Sequence, residues 1–209
     1  MRKLTRESNP FEIRDRIVKT YLKLILRQFK RLNQGTILGF DEVNALSAVN
    51  ETYEDVVNMT VEALRKVAKQ TYHWICGEDF PADMWLDGFL QEFDPVTHYK
   101  FFDEADRKRT RAYEAIMSCQ TSSERKKQIG IATRYLVRQF EQTADNVVDA
   151  VIVKAYKDNN VKYVTWYIMK DGKVCLDCKL RDGKIYPITS PDLHPMHYNC
   201  RCWWIPVKS

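Results

Sequence analysis

The hydrophobic pattern of this chain changes its period once, near residue 160. Before that point, apolar residues recur every three or four positions, which is typical of one buried face of an α-helix. A shorter helix with broken periodicity is predicted between Glu78 and Pro95. The long helical stretches are residues 10–35, 41–76, 95–119 and 124–157.

Several helix ends carry residues that commonly terminate helices. Asn9 followed by Pro10 predicts the start of the first helix, because Asn caps the free N–H groups and proline suits the first helical position. Gly77 is expected to end the second helix, and Ser123 is expected to cap the fourth.

After residue 160, the sequence favours β-structure. Val161–Met169 is rich in β-branched and aromatic residues and predicts a strand. Asp171-Gly172 and Arg181–Lys184 are typical of tight turns, and short strands are expected at 184–187 and 202–207. A β module of about 50 residues has a thin core and needs a further staple.

The cysteines indicate that a metal ion provides this additional stabilisation. Four of the six lie in the last 35 residues, as Cys175-x-x-Cys178 and Cys200-x-Cys202. Short Cys/His groups about twenty residues apart are typical of tetrahedral zinc sites. Disulfides require an oxidising compartment, and the N-terminal residues lack the apolar segment of a secretory signal. The spacing therefore predicts a structural zinc site.

The cluster offers more donors than the four that zinc needs. Cys175, Cys178 and Cys200 belong to each ligand set that we consider. The fourth ligand is either Cys202 or His197. His194 ranks last, because it precedes a proline and lies farther from the Cys-x-x-Cys pair.

These observations predict an α+β protein with two parts. Residues 1–159 are expected to form an elongated helical bundle that contacts partners, and residues 160–209 a small metal-stapled β module. Its charge is uneven: 1–40 and 107–139 are basic, whereas 78–106 are acidic. Such blocks are typical of surfaces that meet complementary partners. No stretch reaches the roughly 18 apolar residues of a membrane span, so synthesis in the cytoplasm is expected.

Basic and aromatic residues near the cysteines support an alternative, a zinc-knuckle module that binds nucleic acid. In this interpretation Lys173, Arg181, Lys184 and Arg201 contact phosphates without reading sequence. The neighbouring tryptophans and tyrosines would stack on bases.

No catalytic motif accompanies the cysteines. Neither His194 nor His197 is followed two residues later by the Glu that zinc deaminases require. The sequence also lacks His-Glu-x-x-His and a glycine-rich phosphate loop. A cysteine-rich site with spare donors favours closed coordination over an open catalytic position. We therefore expect a protein that is not an enzyme.

The C-terminal residues resemble a known family. The run comprises Val164-Thr-Trp166, Asp171-Gly-Lys-Val-Cys175-x-x-Cys178, Leu180-x-Asp-Gly183-Lys-x-Tyr186, Pro191, His197-x-Asn-Cys200-Arg-Cys202 and Pro206-Val207. Its order and spacing are similar to the C-terminal motif of the phage Mu F-like head morphogenesis proteins, also called minor head or minor capsid proteins. Tyr198 stands where the family has proline, and His194-Pro-Met196 is additional.

The resemblance implies a structural protein of the virion. Members of the family act in head morphogenesis and associate with the portal protein at one vertex of the capsid. Contacts with the major capsid or scaffold protein, and non-specific contacts with packaged DNA, are further expectations. The protein would be made in the host cytoplasm and end in the virion, close to the portal.

Overall fold

The computed structural model describes residues 8–38, 41–80, 95–169, 174–191, 193, 200 and 202–207. The helices are α1 (Phe11–Leu38), α2 (Glu42–Cys76), α3 (Pro95–Met117), α4 (Ser122–Asp158) and the short α5 (Leu176–Arg181). The strands are β1 (Tyr163–Tyr167), β2 (Ile185–Pro187) and β3 (Trp203–Pro206). Long helices followed by a small C-terminal sheet confirm the predicted α+β class.

The four long helices lie where the periodicity predicts them, with differences at their ends. α1 continues through Gly35 to Leu38, because one glycine costs a helix only about 1 kcal/mol. α3 ends at Met117, slightly before Cys119. The expected short helix before Pro95 and the turn at Asp171-Gly172 lie outside the described residues.

Two helix ends match the predicted chemistry and one does not. The Asn9 side chain accepts a hydrogen bond from the Phe11 N–H at 3.0 Å, as expected of a cap. Gly77 ends α2 in the left-handed region with φ of 76°, where glycine avoids the strain of a Cβ atom. Ser123 was the wrong choice for α4: Thr121 accepts a hydrogen bond from the Glu124 N–H, and the Glu124 carboxylate accepts one from the Thr121 N–H. This reciprocal pair is a capping box.

Replacement of Thr121 tests this assignment. We expect Thr121→Ala to destabilise the protein by about 1 kcal/mol, because one N–H at the start of α4 loses its acceptor. Ser123→Ala is the matched control and should change the free energy of unfolding by less than about 0.5 kcal/mol. Denaturant unfolding followed by circular dichroism measures both, and an equal or larger loss in Ser123→Ala would restore the original prediction.

The chain divides into two compact units. Unit 1 comprises Met1–Ile17, Leu64–Phe93 and Ala144–Ser209, and unit 2 comprises Val18–Ala63 and Asp94–Thr143. Unit 1 therefore groups the C-terminal sheet with the end of α4. The predicted division of the chain into residues 1–159 and residues 160–209 stays a prediction.

Unit 2 is a helical assembly held by aromatic contacts and polar bridges. The rings of Phe29 and Tyr53 meet edge to face at 6.1 Å. The Tyr53 hydroxyl donates to the carbonyl oxygen of Lys108, which joins α2 to α3. Tyr135 on α4 donates to the Glu104 carboxylate at 2.7 Å.

Unit 1 contains the three-stranded antiparallel sheet, with β1 in the centre and the strand order β2-β1-β3. β1 is shorter than the predicted 161–169 strand. Val164 and Trp166 point into the core, whereas Tyr163 on the opposite face is 54% exposed. Trp166 pairs with Trp204 across the strands, and their rings meet edge to face at 5.7 Å.

Two hydrogen bonds join the C-terminal part of α4 to the sheet and to α2. The buried Tyr156 hydroxyl donates to the carbonyl oxygen of Trp204 at 2.7 Å. Tyr72 on α2 donates to Asp158 at the last turn of α4, at 2.9 Å. β3 is thereby joined to α4.

Candidate metal centre

The first cysteine pair lies in the connection between β1 and β2. The Cys-x-x-Cys segment begins a helix rather than an isolated turn: Cys175 is the N-cap of α5, and its Sγ accepts a hydrogen bond from the Cys178 N–H at 3.4 Å. After α5, Gly183 adopts φ of 79° and donates its N–H to the Trp166 carbonyl at 2.8 Å. The turn at Arg181–Lys184 is thus confirmed, and it returns the chain to the sheet.

The second cysteine pair comes immediately before β3. Cys200, Cys202 and Trp204 occupy alternate positions in the sequence, and all three are buried. Side chains two residues apart share a face in extended backbone. Cys202 lies two residues before Trp204, which pairs with Trp166, so its thiol shares the buried side of this chain segment with Trp204.

Three thiols from the two segments converge. The Sγ atoms of Cys178, Cys200 and Cys202 all lie within 4.8 Å of one another, and those of Cys178 and Cys200 are 3.7 Å apart. The three residues are 1%, 2% and 4% exposed. All six cysteines of the chain are thiols rather than disulfides. This donor set can hold a metal ion.

The spacing suits a soft cation. A Zn–S distance of about 2.3 Å in a tetrahedron places neighbouring sulfurs about 3.8 Å apart, close to the 3.7 Å between Cys178 and Cys200. Cys175 is half-buried beside Cys178 and interacts with its thiol. The residues present therefore fit a tetrahedral thiolate site for zinc or a similar ion.

The surroundings of Cys178 and Cys202 favour the protonated forms of these two thiols. Burial raises the pKa of Cys178 to about 12, with the neighbouring Cys175 and Cys200 adding to the rise. The pKa of Cys202 is also raised, first by its hydrogen bond with Cys200 and then by burial. A metal ion binds thiolates, so it must displace these protons.

Zinc affinity should consequently increase with pH. Each displaced proton is expected to strengthen apparent binding by about tenfold per pH unit between pH 6 and 8, where the metal-free thiols remain protonated. Competition with a chelator at several pH values measures the slope. A pH-independent affinity, after correction for the chelator, would show that the thiols are not the ligands.

The structure brings together three of the predicted metal ligands. Cys178, Cys200 and Cys202 are brought together, so Cys202, which the sequence left as one of two options, joins the cluster. Cys175 is adjacent through α5. His197 and His194 lie outside the described residues, and their roles stay predictions.

The structure describes two of the four basic residues proposed to contact nucleic acid. The Arg181 guanidinium lies over the Trp166 ring at 5.3 Å, and Lys184 is exposed. Lys173 and Arg201 lie outside the described residues. Trp166, Trp203 and Trp204 are buried and therefore not available to stack on bases, whereas Tyr167 and Tyr186 are half-buried. That module stays a prediction from the sequence.

Sequence reasoning missed one residue near the cluster. Asp149 on α4 is buried, and its pKa is raised first by this burial and then by the Cys200 thiol. A polar residue in a long amphipathic helix is ordinarily assigned to the solvent face. The signal that was available is its spacing of four residues from Asp145, which puts both acids on one face of α4.

The family model described as "Phage Mu protein F like protein" matches residues 107–205. This stretch runs from α3 through α4 to β3 and includes the four C-terminal cysteines. No curated protein and no solved structure matches the chain. In the part of the chain that the structure describes, we find no helix that could serve as a membrane span.

Proposed function

We propose that this chain, a phage Mu F-like protein through residues 107–205, is a structural minor head protein that acts in head morphogenesis at the portal vertex. The family match, which includes the cysteine cluster, carries this proposal. It favours a protein of the virion that assembles with other phage head proteins. The portal protein is the proposed partner, with the major capsid or scaffold protein as further contacts.

The metal in this proposal is zinc. Sulfur donors at the spacing of Cys178 and Cys200 support it, because zinc is the common ion of closed tetrahedral thiolate sites. Its role would be to join α5 to the segment that leads into β3. Cys178 is the buried residue of α5, whereas Leu176 and Leu180 are 70% and 60% exposed, so ligand binding would supply much of the free energy that holds α5 in place.

A structural role is proposed for the site in place of catalysis. A catalytic zinc keeps a coordination position open to water and substrate. The three converging residues are buried, and the sheet and α4 fix the chain around them. This enclosure favours a closed site, and we propose that the protein is not an enzyme.

The assembly proposal can be tested in particles of the phage that encodes the chain. Mass spectrometry of purified heads should detect the chain at low copy number relative to the major capsid protein. Affinity purification of a tagged chain from infected cells should recover the ring-forming portal protein. Absence of the chain from both immature and DNA-filled heads would contradict the proposal.

The zinc site gives this experiment matched variants. We expect Cys178→Ser chains to be incorporated into heads poorly, because the surface built by residues 163–206 is lost. Cys119→Ser chains should be incorporated normally, since Cys119 lies in unit 2 and outside the cluster. Equal incorporation would show that the zinc site is dispensable for assembly.

A further inference from the structure

The first long helix carries only basic charges over most of its length. Residues 16–40 contain six Lys or Arg residues and no Asp or Glu. Because an α-helix has about 3.6 residues per turn and rises about 1.5 Å per residue, five of the six fall within an arc of about 120° and span about 18 Å along the axis. All five are exposed and belong to unit 2, and we call them the α1 basic stripe: Lys19, Lys23, Arg27, Lys30 and Arg31.

The α1 basic stripe lacks acidic partners in the part of the chain that the structure describes. No carboxylate there forms a salt bridge with any of its five side chains. The other basic block of the sequence, residues 107–139, is different, because Arg107 pairs with Glu104 and Arg109 pairs with Asp106. Uncompensated positive charge on a protein surface attracts polyanions. The α1 basic stripe is therefore the stronger candidate for contact with a polyanion.

The opposite side of α1 argues against an anionic membrane as this polyanion. A helix that lies on a lipid surface inserts its apolar face among the headgroups. The apolar face of α1 is instead part of the protein core, and the Phe29 ring contacts the Tyr53 ring of α2. The buried residues of this face are Val18, Tyr21, Ile25, Phe29 and Leu32.

The composition of the stripe favours double-stranded DNA over a protein or a single strand. Protein interfaces depend on aromatic and apolar anchors and contain few lysines, whereas DNA interfaces are strongly positive. In the described part of α1, Leu26 is the large apolar side chain that is exposed. Single strands are bound by stacking bases on aromatic rings, but Phe11, Tyr21 and Phe29 of α1 are buried.

We propose that the α1 basic stripe binds the phosphate backbone of double-stranded DNA without reading its sequence. Each strand of a duplex carries one phosphate per about 3.4 Å of axis, so the stripe spans about five phosphates, one for each of its basic side chains. Phosphate contacts position a protein on DNA but carry no sequence information. In a head protein, this surface of unit 2 would contact the packaged genome.

The test measures the affinity of the full-length chain for short labelled duplexes by fluorescence anisotropy at several salt concentrations. Each phosphate contact adds about 0.9 to the slope of log affinity against log salt concentration, so five contacts predict a slope of about −4.5. Two duplexes of unrelated sequence should bind equally well, because phosphates are common to both.

Replacement of three residues in the middle of the stripe tests its role directly. The triple variant Lys23→Gln, Arg27→Gln, Lys30→Gln should have a slope of about −2 and bind on the order of 100-fold more weakly at about 0.1 M salt. Its melting temperature should remain close to that of the wild type, because exposed Gln suits a helix. If the triple variant does not fold, Lys23→Gln and Lys30→Gln are measured singly, and each should reduce the slope by about 0.9.

The matched control removes the same charge from the other basic block. Lys126, Lys127 and Arg134 are exposed residues of α4 in the same unit. Their joint replacement by Gln should leave the slope close to that of the wild type. An equal decrease in both triple variants would mean that DNA responds only to net charge, and a wild-type slope in the α1 variant would remove the stripe from the contact; either result overturns the inference.

Competition with polyglutamate separates DNA from an acidic protein surface. A duplex carries one charge per about 1.7 Å, whereas an extended polypeptide carries at most one per about 3.3 Å, so DNA should remain bound at equal charge concentration. Displacement of the DNA would assign the stripe to an acidic protein instead. A wild-type chain that does not bind DNA at low salt would also refute the inference, but it would leave the head assignment intact, because that assignment rests on the family match.

Discussion

Cys200→Ser is expected to abolish zinc binding and to unfold the C-terminal sheet. The substitution removes one of the three converging sulfur atoms, the Cys200 Sγ, which lies 3.7 Å from the Sγ atom of Cys178. Structural zinc contributes on the order of 10 kcal/mol to the folding of small zinc domains, so residues 163–206 should lose protection from hydrogen exchange.

Cys119→Ser provides the control for this experiment. Cys119 follows α3 in unit 2, and its thiol donates to the carbonyl oxygen of Ala115. Its replacement should leave the zinc content and the exchange protection of residues 163–206 unchanged. Hydrogen-exchange mass spectrometry with metal analysis of the same samples reports both quantities. A Cys200→Ser chain with wild-type protection would mean that the sheet folds without the metal.

Trp166→Ala is expected to cost about 3–5 kcal/mol, the usual loss for truncating a large buried aromatic side chain. Trp166 is fully buried on the central strand, where its ring contacts that of Trp204 and lies under Arg181. Denaturant unfolding of the zinc-saturated chain, followed by circular dichroism, measures the loss. This change tests the apolar half of the module without altering a ligand.

Tyr163→Ala is the matched variant, on the same strand but the opposite face. Because Tyr163 is 54% exposed, its truncation should cost less than about 1 kcal/mol. Similar losses from both substitutions would contradict the observed facing of β1. A small loss from Trp166→Ala would instead show that the metal alone stabilises the sheet.

The sequence predicted the elements well because their periodicity depends on local spacing. The helical stretches and the turn at Gly183 were expected from residue type alone. Thr121 and Ser123 illustrate the limit: both hydroxyls can cap a helix, and the choice depends on where the first turn of α4 begins. Local chemistry therefore defined the helices more accurately than it defined their first residues.

Only part of the candidate site was predicted from the sequence, because residue spacing identifies possible ligands but does not specify which of them come together. The spacings Cys-x-x-Cys and Cys-x-Cys predict metal ligands. Inclusion of Cys202 depends on where the segment before β3 lies relative to Cys178 on α5, which residue spacing does not specify. The burial of Asp149 is still harder to predict, because it depends on tertiary packing around α4, which the spacing of residues along the helix does not specify.

X-ray absorption at the zinc edge, on the chain purified without added metal, shows directly whether the cysteine thiolates bind zinc. We expect one zinc per chain, coordinated mainly by sulfur at about 2.3 Å. A folded chain that contains no metal, or zinc surrounded only by oxygen and nitrogen, would refute the thiolate site.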